Sequence, residues 1–227
     1  PVPRAVSLTS PSLAAKIPKV ERPRGERDSE LPDVIEPALS ARAKCRGCGA
    51  GIAKGELRFG EALPNPFGEG DATYWFHLAC AACMRPEKFG PALEAHPSPL
   101  PDGEWMKGAV EVGVAHRRLP RLTRVERAPS GRATCRSCRE VIEKGAFRIA
   151  LQMFEDGRFT PIGTIHVECS QAYFGTKDIL DRMRKLTPSL TDEDASGLTR
   201  LLAIEKPAAP KDEEPERRPE GQNGAAS

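Results

Sequence analysis

Aromatic residues and long apolar runs are scarce in this sequence. Aromatics make up 5% of the 227 residues, and hydrophobic residues make up 39%. The longest apolar stretch, from Tyr74 to Met84, is interrupted by His77 and is far too short to span a bilayer. Such a composition excludes one large hydrophobic core, and small domains usually need metals or disulfides for stability. We therefore expect small, cross-linked domains and no membrane segment.

A secretory signal is also missing, because no apolar segment follows the opening residues Pro1 to Arg4. This absence predicts a reducing, intracellular environment, in which clustered cysteines favour metal binding over disulfides. The sequence has seven cysteines: Cys45, Cys48, Cys80, Cys83, Cys135, Cys138 and Cys169.

The net charge is only +2, but the charges are unevenly distributed. Between Ala115 and Ala150 there are ten Lys or Arg residues and three Asp or Glu residues. Such a local basic surface favours a polyanionic partner. A solvated, arginine-rich face without a partner has the same composition, and charge alone does not separate the two interpretations.

The sequence contains an internal repeat. Segment 35–45 matches segment 125–135 at a constant offset of 90 residues, and the offset holds as far as Arg58 and Arg148. It becomes 89 before the histidine of each copy, which a single deletion in a loop explains. The chain therefore carries two copies of one structural unit.

Each copy has a Cys-x2-Cys motif followed, after 28 or 27 residues, by His-x2-Cys. Zinc favours four nitrogen or sulfur ligands in a tetrahedron, and x2 spacing lets two cysteines of a tight turn bind one ion. Three thiolates and one imidazole leave no open coordination position, so such a site is structural rather than catalytic. We predict two zinc ions per chain, with these ligands: Cys45, Cys48, His77 and Cys80 in the first site, and Cys135, Cys138, His166 and Cys169 in the second.

Cys83 leaves an alternative open at the first site. Its spacing from Cys80 also suits a four-cysteine site, which would leave His77 free. The second copy argues against this arrangement, because the residue three places after Cys169 is Ala172.

Two helices are predicted after the second His-x2-Cys motif. Ile179, Met183 and Leu186 lie at helical spacing. Thr191, followed by three acidic residues, is typical of a helix N-cap, and Leu198 starts the apolar face of that second helix.

A proline-rich and glycine-rich connector follows the first copy. Within it the alternation of Val110, Val112 and Val114 indicates a short strand. Both ends of the chain are polar and aperiodic, which predicts disorder. The predicted organisation is a disordered tail (1–30), a first finger (35–84), the connector (85–118), a second finger with C-terminal helices (119–204) and a disordered tail (205–227).

Segments 130–149, 40–45, 52–58 and 74–80 resemble the PARP-type zinc finger, which occurs in poly(ADP-ribose) polymerases, some DNA ligases and DNA end-processing enzymes. The ligand spacing and the pattern Ile-x-Lys-Gly-x-x-Arg, present in both copies, carry the resemblance. It implies small α+β domains stabilised by zinc, arranged as two tandem fingers.

The resemblance also implies sequence-independent binding of DNA nicks or strand ends in DNA repair. Phosphate contacts then fall to four arginines: Arg42, Arg58, Arg132 and Arg148. Stacking on the exposed base pair falls to four apolar residues: Phe67, Met153, Phe154 and Phe159. Alternatively, the phenylalanines are ordinary packing residues, and Arg58 and Arg148 pair with nearby glutamates.

This sequence departs from the family pattern in three respects. Trp75 and Phe76 precede the first histidine, whereas Thr164 and Ile165 precede the second, which predicts looser packing around the second zinc. Helices are expected after the second finger but not after the first. There is no transferase or ligase domain and no Lys-x-Asp-Gly ligase motif, so we expect no catalytic activity.

The resulting hypothesis is a DNA-associated intracellular protein, monomeric without DNA, that recruits repair enzymes. The alternatives are a zinc-stabilised protein-interaction adaptor and a non-catalytic subunit of a repair enzyme.

Overall fold

The computed structural model describes residues 32–65, 69–155, 157–204 and 206–208. The predicted disordered tails fall outside these ranges, apart from 206–208, and Phe67 lies outside them as well. Within the described ranges, no helix combines the length and apolar character needed to cross a bilayer.

Each finger is built on a three-stranded antiparallel sheet whose strands follow the order of the chain. The first sheet comprises β1 (Val34–Pro37), β2 (Leu57–Pro64) and β3 (Asp71–His77). The second comprises β4 (Leu122–Arg127), β5 (Phe147–Glu155) and β6 (Arg158–His166).

The two sheets share a register at the end of the last strand. Arg58 of β2 pairs with His77 of β3, and Arg148 of β5 pairs with His166 of β6. The one-residue difference between the copies is accommodated beyond this point, in the hairpins, and β5 and β6 carry a register shift after Leu151. The repeat seen in the sequence is thus a repeat of backbone structure.

In the described part of the chain, six α-helices pack against the sheets. They are α1 (Leu78–Met84), α2 (Pro86–Glu94), α3 (Gly103–Ala115), α4 (Ser170–Phe174), α5 (Leu180–Leu186) and α6 (Asp192–Leu202). Two short 3₁₀ turns, Leu119–Arg121 and Val167–Cys169, precede β4 and α4.

The two helices predicted after the second finger are confirmed as α5 and α6. Thr191 caps α6 through a reciprocal capping box: its side chain accepts from the Asp194 backbone N–H, and the Asp194 carboxylate accepts from the Thr191 N–H. Two N–H groups that a helix leaves unpaired are thereby satisfied.

The strand predicted at Val110 to Val114 is wrong, because these residues lie in α3. Three alternating valines are too short a pattern to outweigh helical spacing: Met106 and Gly113, seven residues apart, are both buried on one face of α3. The expectation that no helices follow the first finger is also wrong, since α2 and α3 come after its last zinc-ligand motif.

The prolines of this segment do not prevent its helices from forming. Pro86 is the first residue of α2, a position at which the missing N–H costs no hydrogen bond. Pro97, Pro99 and Pro101 lie between α2 and α3. Pro91 lies inside α2, where its missing N–H removes one hydrogen bond of the helix without ending it.

Glycines allow the helices to approach closely. A Cβ atom on Gly113 would lie 3.0 Å from Cγ of Pro86, and one on Gly90 would lie 3.0 Å from a methyl group of Val110. Phe89 is fully buried and meets the ring of Phe59 edge to face, at 5.3 Å between centroids. α2 is thus fixed onto the first sheet, with α3 packed against it.

The fingers pack against each other and share one hydrophobic cluster, so the expectation that the composition excludes one large core is wrong. The contact between the fingers combines the apolar side chains of two small units into one core. Phe76 of the first finger meets Phe159 of the second at 6.2 Å between ring centroids. The Arg182 guanidinium of α5 donates to the carbonyl oxygens of Cys83, at 2.5 Å, and Ala109, at 2.7 Å. Because its side chain bonds to α1 and α3 at once, Arg182 joins the two fingers.

Candidate metal centres and nucleic-acid interface

The first Cys-x2-Cys motif forms a tight turn. The Gly49 N–H donates to the Cys45 carbonyl at 2.8 Å, and the Cys45 N–H donates to the Ala50 carbonyl at the same distance. Gly49 has a φ of +76°, which glycine adopts without steric cost. The turn directs the side chains of Cys45 and Cys48 to the same place.

The other two residues of the first site come from the junction of β3 and α1. His77 ends the strand, and Cys80 lies in the first turn of the helix. One ligand atom from each residue of this set lies within 4.8 Å of the others: Cys45, Cys48, His77 and Cys80.

The second finger builds the same cluster from Cys135, Cys138, His166 and Cys169. The Sγ atoms of Cys135 and Cys169 are 3.8 Å apart. Zinc–sulfur bonds of about 2.3 Å in a tetrahedron place sulfurs about 3.8 Å apart. The donor set and its spacing fit Zn²⁺, and the two clusters together fit two ions.

The histidines are oriented for coordination through Nδ1. Nε2 of His77 lies 3.2 Å from the Gly51 carbonyl, and Nε2 of His166 lies 3.2 Å from the Val141 carbonyl. Donation from Nε2 to a carbonyl leaves a lone pair on Nδ1, which faces the cysteines. The hydrogen bond from Nε2 to the carbonyl fixes both the tautomer and the orientation of each histidine ring.

Backbone N–H groups support negative charge on the buried sulfurs. Those of Ser137 and His166 each lie 3.4 Å from the Cys135 Sγ atom. Crowding of thiols opposes complete ionisation: hydrogen bonding to Cys135 raises the pKa of Cys169. A divalent cation at the centre would offset this repulsion and favour three thiolates.

Cys83 lies outside the first cluster. It is fully buried in α1, and burial raises the pKa of its thiol to about 11. The geometry therefore favours His77 over the four-cysteine alternative.

The looser packing expected around the second site is not observed. Phe59 pairs with Phe76 in the first sheet, and Ile149 pairs with Ile165 at the matching position of the second. All four side chains are fully buried. The second sheet thus has an isoleucine pair where the first sheet has a phenylalanine pair. The change from phenylalanine to isoleucine on the last strand is matched by the same change on the neighbouring strand.

Of the four arginines predicted to contact phosphate, Arg42 and Arg132 are exposed. They lie at matching positions, three residues before the zinc knuckle, the Cys-x2-Cys turn, of each finger. Among the residues that the structure describes, neither forms a side-chain hydrogen bond or an ion pair. Both remain candidates for phosphate contacts.

Arg58 and Arg148 are instead engaged within the protein, as in the alternative interpretation. Arg58 is 2.6 Å from the Glu36 carboxylate, and its guanidinium carbon lies 3.4 Å from the centroid of the Trp75 ring. Nε of Arg148 donates to the Glu126 carboxylate at 2.9 Å. A phosphate contact by either residue would have to share or displace its carboxylate.

The predicted stacking residues of the second finger lie at the β5–β6 hairpin and face the first finger. Phe159 contacts both Phe76 and Phe154, at 6.2 and 4.7 Å between centroids. Gly157 approaches Tyr74 so closely that a Cβ atom there would lie 3.0 Å from the ring. Met153, Phe154 and Phe159 are half-buried, which agrees with packing between fingers.

Two arginines that the sequence did not single out organise this junction. Arg85 pairs through Nε with the buried Glu61 carboxylate at 2.7 Å and lies over the Phe154 ring, 3.9 Å from its centroid. The sequence could have identified Arg182, because this residue lies on the same helical stripe as Ile179 and Leu186. An arginine on an apolar stripe indicates a buried, specific contact.

The two closed Cys3His clusters on matching sheets define a protein with tandem, zinc-stabilised fingers. Residues 36–107 match the family model described as the poly(ADP-ribose) polymerase and DNA-ligase Zn-finger region. The predicted resemblance to PARP-type zinc-finger proteins is confirmed.

Curated relatives extend the match beyond the first finger. The chain is 32% identical to poly [ADP-ribose] polymerase 1 of Gallus gallus over 139 residues, which cover 55% of this chain and 14% of that protein. It is 28% identical to the poly [ADP-ribose] polymerase of Sarcophaga peregrina over 204 residues, which cover 78% of this chain and 20% of that protein. An alignment over 78% of the chain cannot be confined to one finger, so it covers at least part of each.

Proposed function

We propose that this protein is a zinc-dependent, sequence-independent DNA-binding protein that recognises nicks or strand ends in DNA repair. The observation that carries the proposal is the pair of closed zinc sites in fingers similar to the polymerase and DNA-ligase region. The ligand residues of these sites are the eight cysteines and histidines named above.

Phosphate contacts are proposed to supply affinity without sequence information. Arg42 and Arg132 are the first candidates, because they are exposed and engage no carboxylate in the described part of the chain. Arg58 and Arg148 are second candidates, since each is already paired with a glutamate.

Selectivity for a break requires a group that uses an exposed base face, because phosphates are present on every duplex. An apolar side chain on such a face is worth about 1–3 kcal/mol. Met153, Phe154 and Phe159 are the candidates in the second finger, and Phe67 is the candidate in the first. The β5–β6 hairpin of the second finger would contact DNA in one of two ways. It would either keep its contact with the first finger or separate from the first finger before binding.

The chain itself is proposed to be non-catalytic, since a closed zinc site has no position for a reacting group. Its proposed partners are then repair enzymes. Its proposed role is to bind DNA breaks inside the cell. The engagement of Arg58 and Arg148 within the protein favours a second candidate function, a zinc-stabilised interaction adaptor or a non-catalytic enzyme subunit, because it removes free positive charge.

A gel-shift competition across a range of salt concentrations tests the proposal. The competitors are one closed circular duplex, the same circle with a single nick, and the same DNA linearised to blunt ends. The proposal predicts tighter binding to the nicked or linear form at every salt concentration. Equal affinity for all three would leave only a basic DNA binder, and no binding would favour the adaptor.

A further inference from the structure

A cleft of about 250 Å³ lies where the two fingers meet. Its walls come from the end of α1 and the start of α2, from the segment between α3 and β4, and from the β5–β6 hairpin. Neither finger alone forms it. The residues that matter for its chemistry are Arg85, Lys88, Arg117, Arg121, Met153 and Phe154.

Several of the lining residues are basic. Lys88, Arg117 and Arg121 line the cleft, and within the described ranges none of the three forms a side-chain hydrogen bond or an ion pair. Glu87 is the only carboxylate among the lining residues. Three unengaged cations against one carboxylate leave an excess of positive charge that suits an anionic group such as phosphate.

The cleft is also lined by apolar side chains. Met153, Phe154 and Phe159 line it, and Arg85 lies over the Phe154 ring. The pair of hydrogen bonds from Arg85 to the buried Glu61 holds the guanidinium plane in place. Aromatic rings and guanidinium planes are the surfaces on which unpaired nucleobases stack.

The size of the cleft restricts the ligand. Its volume is just below the usual range of small-molecule sites, which limits the ligand to about one nucleotide. Bases within a duplex are stacked and paired, so only an unpaired nucleotide has both a free base and a flexible phosphate to offer.

We propose that this cleft binds one unpaired nucleotide of a DNA strand, such as a flap or a nucleotide displaced at a break. The base would lie against Met153, Phe154 and Arg85, and the phosphate would contact Arg117 and Arg121. The inference rests on the proposed function for its ligand class, but its site is separate from the arginines ahead of the zinc knuckles.

The test uses fluorescence anisotropy with a labelled thymidine oligonucleotide of about eight nucleotides, within the range of known single-strand site sizes. The full, zinc-loaded chain is compared with the double variant Arg117→Gln, Arg121→Gln. We expect the variant to bind the oligonucleotide about tenfold or more weakly, with a salt slope reduced by about 0.7 for each arginine.

A charge-matched control is Arg184→Gln with Arg200→Gln, since both residues are exposed and neither lines the cleft. The control should bind the oligonucleotide as the unaltered protein does. Equal losses in the two double variants, no loss in either, or no binding by the unaltered protein would overturn the inference.

Gel shifts with the nicked and closed circles, run on the same proteins, separate this inference from the proposed function. Nick preference with no cleft-dependent oligonucleotide binding would remove the inference and leave the function. Cleft-dependent oligonucleotide binding without nick preference would support the inference and contradict the proposed function.

Discussion

His77 and Cys83 are the two residues whose roles decide the chemistry of the first zinc site. The cluster contains His77, and Cys83 is buried in α1 away from it. We expect Cys83→Ser to retain two zinc ions and His77→Ala to lose zinc from the first site during competition with a chelator. Metal analysis after gel filtration measures both. Loss of zinc from Cys83→Ser together with retention in His77→Ala would establish the four-cysteine site.

Cys83 also provides a pH-dependent test of burial. Burial raises the pKa of its thiol to about 11, so at neutral pH it is a neutral thiol and a poor nucleophile. In the zinc-loaded protein we expect iodoacetamide to leave Cys83 unmodified at neutral pH, with labelling increasing as the pH approaches 11. Peptide mass spectrometry measures the site. Rapid labelling at neutral pH would show that α1 is open to solvent.

Thr191 is one of the two residues that cap the start of helix α6. Thr191→Ala removes one half of the reciprocal hydrogen bonds with Asp194 and should cost about 1 kcal/mol of unfolding free energy. Urea denaturation of the zinc-loaded protein measures the loss. Thr191→Ser keeps a hydroxyl at the same position and should restore most of the stability, whereas equal losses in the two variants would show that the hydroxyl is not what matters.

At the scale of elements, motifs with a physical signature were predictable from the sequence. The repeat located both zinc clusters, and helical spacing with a threonine cap located α5 and α6. Helices α2 and α3 were missed because prolines dominate the composition around them, while their stabilising contacts are distant. Phe89 packs on Phe59, thirty residues earlier, and Gly113 fits against Pro86. Such contacts leave no local pattern.

The packing of one finger on the other belongs to the whole molecule and could not be derived from either copy. The repeat suggests two equivalent units, yet the contacts between them use residues outside the shared pattern. Arg182 lies in the trailing helix of the second finger, and Phe76 has an isoleucine as its counterpart. The predicted stacking role of Phe159 has to be considered with this contact, since its ring already has partners in the free protein.

Arg182 tests whether the fingers form one unit. Its guanidinium is buried, and it bonds the Cys83 carbonyl in the last turn of α1, where helical carbonyls lack partners. Arg182→Met should lower the unfolding free energy by about 1–3 kcal/mol, since the buried carbonyl loses its donor. Urea denaturation measures the change.

Arg184→Met is the matched control for that experiment, because Arg184 lies on the same helix but is exposed and pairs with an exposed aspartate. Its effect should stay within about 0.5 kcal/mol. If the two variants are equally stable, the junction between the fingers contributes little.

The zinc content of the intact chain tests the central claim most directly. Each finger contributes only part of the shared hydrophobic cluster, and units of this size are marginally stable without a metal, so both closed clusters should be filled in the folded protein. Native mass spectrometry of the purified chain measures the stoichiometry without assuming any function. We predict a mass corresponding to two zinc ions per chain, and a folded chain carrying one ion or none would contradict the account.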